Sequence, residues 1–459
     1  MKAIHDPGHA LANGLTAIRL QYQVPAAFPD AVLAAAEAAS ARAPSDHRDR
    51  TGEAFVTLDP ASSTDLDQAF AIEVSRGDLI LHYAIADVNW FVADGEAVDV
   101  EAWRRGETLY LPDGKASLYP PVLGERAASL LPDGPRPAVV FSVRVAGEGT
   151  VKLDGAERAI IRSRAKLAYD GVSDADLPAG FAELARRIEA AERTRGASRV
   201  DPPEQEVARV GDGYSLAFRP RLESESRNAA LSLAANLAIA NTLQAHRTGL
   251  FRVMAEPDSG AIKRLRATAR AFGLDWAKGE KLAEYERTLS AADPKQAAMM
   301  LAIRRAGQGA SYVPWREGVV PWHSAMAATY AHATAPLRRL ADRYVIAATL
   351  AVANGRAVPD AVSAAFARLP EVMARADAQA AQVDRAVIDL AEAVALSGRV
   401  GESFAAVVTD LDERGARIQL SEEAVVARVT AAGAAPGAAV TVRLVLADAK
   451  QRRLDFVLS

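Results

Sequence analysis

The chain contains no cysteine, which excludes disulfide bonds and thiolate metal sites and is compatible with a reducing compartment. It has no uninterrupted apolar run as long as a transmembrane helix. The first nine residues, Met-Lys-Ala-Ile-His-Asp-Pro-Gly-His, lack the apolar core of a secretory signal. These absences predict a cytoplasmic protein that does not associate with a membrane.

An excess of positive charge is also lacking, because 54 Lys and Arg residues face 58 Asp and Glu residues, for a net charge of −4. A surface with this balance does not attract polyanions as a whole, so nucleic-acid binding would have to use local basic patches. Half of the 459 residues are apolar and 24% are charged, as in ordinary soluble globular proteins. This length accommodates two or three domains.

The pattern of apolar residues changes along the chain and predicts three regions. Residues 1–50 read as a short helical segment followed by a polar linker. Residues 51–397 are rich in strands at first and then helical, with helices predicted at Asn228–Ala245 and at 371–395. Residues 398–459 contain five short strands, a number and spacing that suit an OB-type barrel. The predicted fold class is therefore α+β with an all-β C-terminal barrel.

Three carboxylates, Asp59, Asp65 and Asp67, lie within nine residues between two apolar, strand-like segments. Pro60 and a Ser-Ser-Thr run predict a turn between the first acid and the other two. Converging carboxylates repel one another and persist where a cation compensates them, and hard oxygen ligands favour Mg²⁺ or Mn²⁺. The same spacing also fits a solvated polar turn or a set of helix caps. The residues alone do not distinguish these possibilities from a metal site.

A second group of polar residues lies in the segment 329–345. Pro336 can open a helix, because a missing N–H costs nothing at the first helical position. Arg338 and Arg339 would then lie in the first turn, where guanidinium groups and backbone N–H groups together suit a phosphate. The alternative is a surface helix with Arg–Asp pairs that involve Asp342.

Together these two segments resemble the catalytic domain of the ribonuclease II/ribonuclease R family. That family carries Thr-x-Asp, five residues, then Asp-x-Asp-Asp, which residues 57–68 follow up to their last position. It also carries Tyr-x-His-x-Thr-Ser-Pro-x-Arg, which residues 330–338 follow with Ala335 in place of Ser. Further matches occur in the family's order at residues 84–88, 108–112, 129–138 and 161–170, so the resemblance covers roughly residues 51–345.

The resemblance implies an RNB-type catalytic domain that hydrolyses single-stranded RNA processively, 3′→5′, to nucleoside 5′-monophosphates. By position, Asp59, Asp65 and Asp67 become metal-site residues for Mg²⁺, with Mn²⁺ as a substitute, and Gln68 joins them. Catalytic roles fall to Asp65, Asp67 and Arg338, and Arg338 clamps the scissile phosphate. Whether one ion or two bind is left open by the sequence.

The same resemblance assigns substrate contacts. Tyr110 would stack on a base near the RNA 3′ end, a contact worth roughly 1–3 kcal/mol per base. Arg339 would support the phosphate clamp, and His332 and Thr334 would shape its loop. Single-stranded RNA is the implied partner, no protein partner is implied, and a monomer is expected.

The match fails at three places. Gln68 stands where the family has a fourth acid, so one negative charge is missing. Glu225 is the acid nearest to the position of a further family acid, and it fits a solvated helix start equally well. Residues 1–50 are too few for the two cold-shock barrels of larger members, which predicts a short form. A catalytically weakened RNA-binding protein with a vestigial metal site is the main alternative, and hydrolysis of DNA or oligonucleotides is another.

Overall fold

The computed structural model describes residues 2–6, 8–198, 202, 204–291, 293–307, 309–412, 415–430 and 435–459. The described helices are α1 (Ala10–Gln21), α2 (Asp30–Ser40), α3 (Val88–Phe91), α4 (Ala97–Arg105), α5 (Phe181–Arg195), α6 (Glu223–Ala245), α7 (Ser259–Phe272), α8 (Leu282–Glu286), α9 (Pro294–Ala306), α10 (Leu340–Ala353) and α11 (Asp360–Ala395). A π-helical turn spans Leu123–Ala127 and a 3₁₀ turn spans Ser324–Met326. None of the described helices combines the length and the apolar character needed to cross a membrane.

The described strands form four open sheets and one barrel. They are β1 (Lys2–Ala3), β2 (Arg48–Asp49), β3 (Phe55–Asp59), β4 (Gln68–Ser75), β5 (Asp78–Ala86), β6 (Leu109–Leu111), β7 (Gly114–Ala116), β8 (Arg136–Val145), β9 (Val151–Ile161), β10 (Ser163–Ala168), β11 (Glu204–Val210), β12 (Gly213–Arg219), β13 (Leu250–Met254), β14 (Ala310–Pro314), β15 (Trp322–His323), β16 (Ala328–Thr329), β17 (Ser403–Asp412), β18 (Gly415–Leu420), β19 (Val426–Val429), β20 (Ala439–Asp448) and β21 (Arg453–Leu458).

A seven-stranded mixed sheet in the order β10-β3-β4-β5-β8-β9-β2 is the centre of the larger domain. Strands β10 and β3 are parallel, as are β2 and β9, and the other neighbours are antiparallel. Strands β5 and β8 are almost continuously buried, as expected for strands that are covered on both faces. Helices α5, α6 and α10 pack against β8 and β9, which confirms the predicted α+β class.

The five C-terminal strands close into a barrel in the order β17-β18-β19-β21-β20, as the sequence predicted. Burial alternates along β18 of the barrel. Ala416, Ile418 and Leu420 point into the barrel core, and the residues between them are partly exposed. The edges of a closed barrel are all paired, so strands this short can form a stable unit.

Helix α11 starts at Asp360 and not at the predicted residue 371, and it contains Pro370 in its interior. An interior proline removes one helical hydrogen bond. Burial of Phe366, Leu369 and Met373 on either side of Pro370 offsets this cost, because these side chains belong to the main core. The sequence periodicity covered only residues 371–395 of the helix.

The hairpin β11–β12 was not expected, because it falls in a region that was predicted to be helical. It pairs antiparallel from Glu204↔Arg219 to Val210↔Gly213, and β12 also pairs with β1. The residues of β11 are exposed or partly exposed along their whole length, so the strand lacks the apolar alternation that identifies a strand in a sequence.

Glu392 on α11 connects the larger domain to the barrel. Its Oε1 atom accepts hydrogen bonds from the Gln205 side chain at 2.6 Å and from the Val426 backbone N–H at 2.7 Å. The side chain is buried, and burial raises the pKa of Glu392 to about 7, although the two hydrogen bonds lower it. The folded protein therefore binds a proton here that the unfolded chain has lost at neutral pH.

Glu392→Gln should flatten the pH dependence of stability. A carboxyl group whose pKa is higher in the folded state stabilises the fold below its unfolded pKa and loses that contribution as the pH rises through about 7. The contribution is on the order of 3 kcal/mol. Urea unfolding between about pH 5 and pH 8 should show a smaller loss of stability in Glu392→Gln than in the parent protein. Equal losses in the two proteins would contradict this assignment.

Candidate active site

The acid-rich turn joins the first two long strands of the seven-stranded sheet. Asp59 is the last residue of β3, and Asp65 and Asp67 precede Gln68, the first residue of β4. Ser129 fixes the turn, because its hydroxyl accepts from the Leu66 N–H and donates to the Thr64 carbonyl, both at 2.8 Å. The turn is therefore held rigidly from outside and is not a loose, solvated loop.

Asp67 joins this turn to the second polar segment. Its carboxylate accepts a hydrogen bond from the Leu337 N–H at 2.7 Å and another from Arg338 Nε at 3.1 Å. Burial raises the pKa of Asp67 to about 7, while Arg338 and the Leu337 hydrogen bond act in the opposite direction. The two segments identified in the sequence thus meet at one buried carboxylate.

Asp59 lies in the same electrostatic environment. Burial raises its pKa to about 6, and its neighbours Arg338 and Lys166 lower it while Asp65 raises it. Its Oδ2 atom is buried and has no hydrogen-bond partner among the described residues. A buried carboxylate oxygen without a donor is costly, and a bound cation would remove that cost.

Asp65 is paired with a lysine that the sequence did not single out. Lys115 Nζ lies 2.8 Å from Asp65 Oδ1, and the Tyr110 hydroxyl donates to Asp65 Oδ2 at 3.1 Å. Tyr110 on β6 and Lys115 on β7 are direct cross-strand partners, so one short hairpin brings both to the acid turn. The half-exposed ring of Tyr110 remains accessible.

Gln68 faces two hydroxyl groups. Its Oε1 atom accepts hydrogen bonds from the Tyr83 hydroxyl and from Ser232 Oγ, the latter at 3.0 Å. The two hydroxyl groups also lie 2.7 Å from each other. A cation ligated by Gln68 would share an oxygen that already accepts from Tyr83 and Ser232, and its role as a ligand stays a prediction.

The segment that carries the two arginines is not the start of a helix, so the predicted first-turn position of Arg338 and Arg339 was wrong. Helix α10 begins at Leu340, and Arg339 is extended, with φ −132° and ψ 122°. The reason is tertiary, because Arg339 forms a bridge with Glu107 and the Arg338 carbonyl accepts from the Thr108 N–H at 3.0 Å.

This pairing connects the arginine segment to the Tyr110 hairpin through Gly106. The Gly106 carbonyl accepts from the Leu340 N–H at 2.9 Å. Gly106 has a φ of +77°, and a Cβ added to it would lie 2.8 Å from the Cβ of Ala376. Glycine is therefore required there both for its backbone conformation and for the close approach of α11.

Asp342 holds the arginine segment in place. It is fully buried, and its carboxylate accepts from the Ala335 N–H at 2.8 Å and from Arg339 Nη2 and Nε at 2.8 and 3.0 Å. The Arg–Asp pairing considered in the sequence therefore exists, but inside the protein and not on a surface helix.

His332 and Thr334 precede the two arginines in this segment. His332 Nδ1 lies 2.8 Å from the Tyr312 hydroxyl, and burial together with the neighbouring arginines lowers its pKa well below the ordinary value. The imidazole is therefore neutral at physiological pH. Thr334 Oγ1 accepts from Asn236 of α6 at 3.4 Å.

A cavity of about 1020 Å³ lies next to the arginine segment. Arg338, Arg339, Thr334 and Gln68 line one part of it, and the α6 side chains Asn228, Ser232 and Asn236 line another. Glu225 also lines the cavity, where it pairs with Arg219 and accepts from the Leu222 N–H at 2.8 Å. Glu225 therefore caps α6 at the rim of the cavity.

No three His, Asp or Glu side chains of the described residues stand close enough together to hold a metal ion as they are placed. Lys115 is paired with Asp65, and Arg338 with Asp67. The acid turn nevertheless fits a cation in its chemistry, because the oxygen of Asp59 lacks a donor and two of the carboxyl groups have raised pKa values.

Comparison with known proteins identifies this arrangement. Residues 47–353 match the model of the RNB domain. The chain belongs to the RNB family. Residues 402–459 match the C-terminal S1 domain of RNase II-type exonucleases, in agreement with the closed barrel.

Relatives and solved structures extend the comparison. Ribonuclease R of Aquifex aeolicus is 26% identical over 436 residues, which cover 88% of this chain and 61% of the relative. RNase R of Mycoplasma genitalium, solved in complex with ribose methylated single-stranded RNA, superposes with a TM-score of 0.86 at 19% identity, over 100% of this chain and 79% of that one. Yeast Ssd1, a pseudonuclease, has a TM-score of 0.68 at 15% identity, over 98% of this chain and 58% of that one.

The fold is thus shared by a protein named RNase R and by one described as a pseudonuclease, so the fold by itself does not decide activity. The chain spans 52–61% of the length of the first three curated relatives that it matches. Activity must therefore be argued from the residues of the site.

Asp342→Ala should destabilise the protein strongly. The substitution leaves the buried Ala335 N–H and the partly buried Arg339 guanidinium without their acceptor, and breaking a pair with a fully buried partner costs about 3–5 kcal/mol. Urea denaturation measures the loss. Asp360→Ala is the matched control, since Asp360 is an exposed acid in the first turn of α11, and it should cost less than about 1 kcal/mol. Equal losses in the two variants would show that Asp342 does not hold the arginine segment in place.

Proposed function

We propose that this chain is a metal-dependent exoribonuclease that degrades single-stranded RNA processively, 3′→5′, to nucleoside 5′-monophosphates. The observation that carries the proposal is the contact of Asp67 with Leu337 and Arg338. This contact supports the proposal because it joins the acid turn to Arg338, and Arg338 lines the cavity of about 1020 Å³. Phosphodiester hydrolysis by a bound cation needs acids and a phosphate-binding cation side by side.

Arg338 binds the scissile phosphate in this proposal. Its side chain is 44% exposed and lines the cavity, so a phosphate can reach it. The guanidinium group offers donors in a planar fork that matches phosphate oxygens. Arg339 adds a second positive charge for the phosphate while Asp342 keeps its guanidinium in place, and His332 and Thr334 shape the loop that carries the two arginines.

Asp59 and Asp67 are the residues best placed to hold Mg²⁺ or Mn²⁺, with Asp65 joining once Lys115 releases it. When bound, such a cation lowers the pKa of a water molecule and neutralises charge on the phosphoryl group. Desolvation and the negative charge of Asp65 raise the pKa values of Asp59 and Asp67. A bound cation would compensate both effects. The RNA phosphate can replace the fourth family acid that Gln68 does not supply.

Tyr110 orients the 3′-terminal part of the strand. Its hydroxyl donates to Asp65, which fixes the ring beside the acid turn, and its exposed face can stack on any base. Stacking of this kind is tolerant of sequence, as degradation of RNA from one end requires.

Asp67→Asn should abolish turnover and largely spare RNA binding, because the amide keeps one acceptor for Leu337 and loses the charge. We expect the rate to fall at least about 100-fold, the scale on which a transition-state contact acts. The assay follows a 5′-labelled single-stranded RNA of about 25 nucleotides with Mg²⁺, Mn²⁺ or EDTA on a sequencing gel. The parent protein should leave one short labelled remnant, and EDTA should prevent its formation.

Asp46→Asn is the control for this substitution, because Asp46 is exposed and lies outside the site. It should cleave at the parental rate. Equal turnover in Asp67→Asn and the parent would remove the assigned role of Asp67. If the parent protein binds the RNA but leaves it intact with Mg²⁺ and with Mn²⁺, the proposal fails and the chain is a non-catalytic RNA-binding protein.

Cation binding should strengthen as the pH rises from about 5.5 to about 8. Carboxyl groups with pKa values of about 6 and about 7 are mostly protonated at the lower pH, and a cation must displace those protons. The increase in thermal melting temperature on addition of Mn²⁺, measured without RNA, should therefore be larger at pH 8. Asp59→Asn should lose this increase and Asp46→Asn should keep it. An increase that is independent of pH in the parent protein would contradict a site formed by these acids.

A further inference from the structure

The short hairpin that carries Tyr110 depends on its surroundings for its position. Its strands β6 and β7 have three residues each and form a two-stranded sheet of their own. A hairpin of this size is marginally stable in water by itself, so contacts from outside must fix it. Tyr110 and Lys115 attach it to Asp65 of the acid turn, and its tip contacts helix α1.

Arg19, in the last turn of α1, binds the tip of the hairpin. Its Nη2 and Nε atoms donate to the two carboxylate oxygens of Asp113 at 2.7 and 3.1 Å, and Nη2 also donates to the Gly114 carbonyl at 3.1 Å. The Arg19 and Asp113 side chains are only 26% and 28% exposed, so the pair is partly shielded from solvent. A bidentate pair of this kind fixes orientation as well as distance.

Apolar packing determines which way Tyr110 points. Residues alternate along β6, with Leu109 and Leu111 buried and Tyr110 exposed between them. The two leucines belong to a hydrophobic core that also contains Leu11 and Leu15 of α1. Successive side chains of a strand point to opposite faces. Burial of the leucines in this core therefore turns the Tyr110 ring away from it, and the Tyr110 hydroxyl reaches the acid turn.

Helix α1 is itself fixed at its C-terminal end. The side chain of Gln21, its last residue, accepts a hydrogen bond from Arg452 of the barrel at 2.6 Å. The carbonyl of Tyr22, the next residue, accepts one from Gln379 of α11 at 2.7 Å. The helix also packs along α11. The hairpin tip is therefore attached through α1 to the barrel and to α11.

We propose that Arg19 is a positioning residue for Tyr110, through which α1 holds the hairpin so that the tyrosine ring is presented to a base near the RNA 3′ end. The inference rests on the stacking role that the proposed function gives to Tyr110. Arg19 acts through Asp113 and not by binding RNA. Without this pair the ring samples more orientations, and ordering it on the base then costs conformational entropy that the intact hairpin has already lost.

Arg19→Glu and Asp113→Arg should each weaken stacking on Tyr110, and the double variant should restore it. Each single substitution places like charges at the hairpin tip, whereas the double variant rebuilds the pair with its charges exchanged. The probes are single-stranded RNAs of about 12 nucleotides with 2-aminopurine, whose fluorescence is quenched by stacking, at one of the last few positions. Binding is measured in EDTA without turnover, and the position at which Tyr110→Leu removes the quenching identifies the contacted base.

At that position each single variant should lose about half of the parental quenching and bind the strand roughly fivefold more weakly, the lower end of what stacking on an aromatic side chain contributes. The double variant should recover both quantities. Asp113→Arg is the decisive variant because it adds positive charge, so direct attraction of RNA would strengthen binding whereas loss of position weakens it. All melting temperatures should stay within about 3 °C of the parent, as expected for a partly exposed ion pair.

Arg186→Glu is the matched control, because Arg186 of α5 forms a bidentate pair with Glu183, with both hydrogen bonds at 2.7 Å. It removes the same charge from another helix and should keep the parental quenching. Parental quenching in both single variants, tighter binding by Asp113→Arg, or no recovery in the double variant would overturn the positioning role.

The outcome for the parent protein separates this inference from the proposed function. If the parent protein quenches the probe but does not cleave RNA, a loss of quenching in the single variants still supports the positioning role, while the proposed nuclease activity falls. If the parent protein quenches no probe, stacking on Tyr110 and the positioning role of Arg19 are both overturned, even where RNA is cleaved.

Discussion

Asp67 accepts hydrogen bonds from Leu337 and Arg338, which follow it by 270 and 271 positions in the chain. The rest of the site depends on this contact, since it brings the end of β3, the turn before β4 and the segment before α10 to one place. The contact also balances charge, because Arg338 lowers the pKa of both Asp67 and Asp59 against the effect of burial. The site can therefore form only after the sheet and α10 have packed, which links its assembly to the folding of the whole domain.

The sequence was sufficient for features that depend on local pattern. The acid turn and the five barrel strands were predicted correctly, because turn residues and alternation are local properties. The start of α10 was predicted wrongly, since a bridge to Glu107 and hydrogen bonds to residues 106 and 108 keep Arg339 extended. Lys115 was missed because its partner Asp65 lies 50 positions earlier. The roles given to Tyr110, Gln68 and the acids came from family resemblance and remain proposals.

Placement of charge, and not its total, determines how this protein meets an anion. The net charge is −4, yet five arginines line the cavity of about 1020 Å³, where they face three glutamates: Arg219, Arg221, Arg304, Arg338 and Arg339 beside Glu204, Glu206 and Glu225. A strongly basic protein would bind any polyanion over its whole surface. In a chain with this balance, attraction for an anion depends on local groups such as Arg338 and Arg339, which line the cavity of about 1020 Å³.

Helix α11 determines where the RNB domain ends as a folded unit. The match to the RNB domain stops at residue 353, but Phe366, Leu369 and Met373 of α11 belong to the same core as the seven-stranded sheet. Farther along, Val383, Val387 and Leu390 belong to the core of the barrel. With 36 residues the helix is about 54 Å long, so it contributes side chains to both hydrophobic cores. A fragment that ends at residue 353 would expose the apolar side chains that α11 covers. The part of the chain that matches the RNB domain is therefore smaller than the part that would fold as an independent unit.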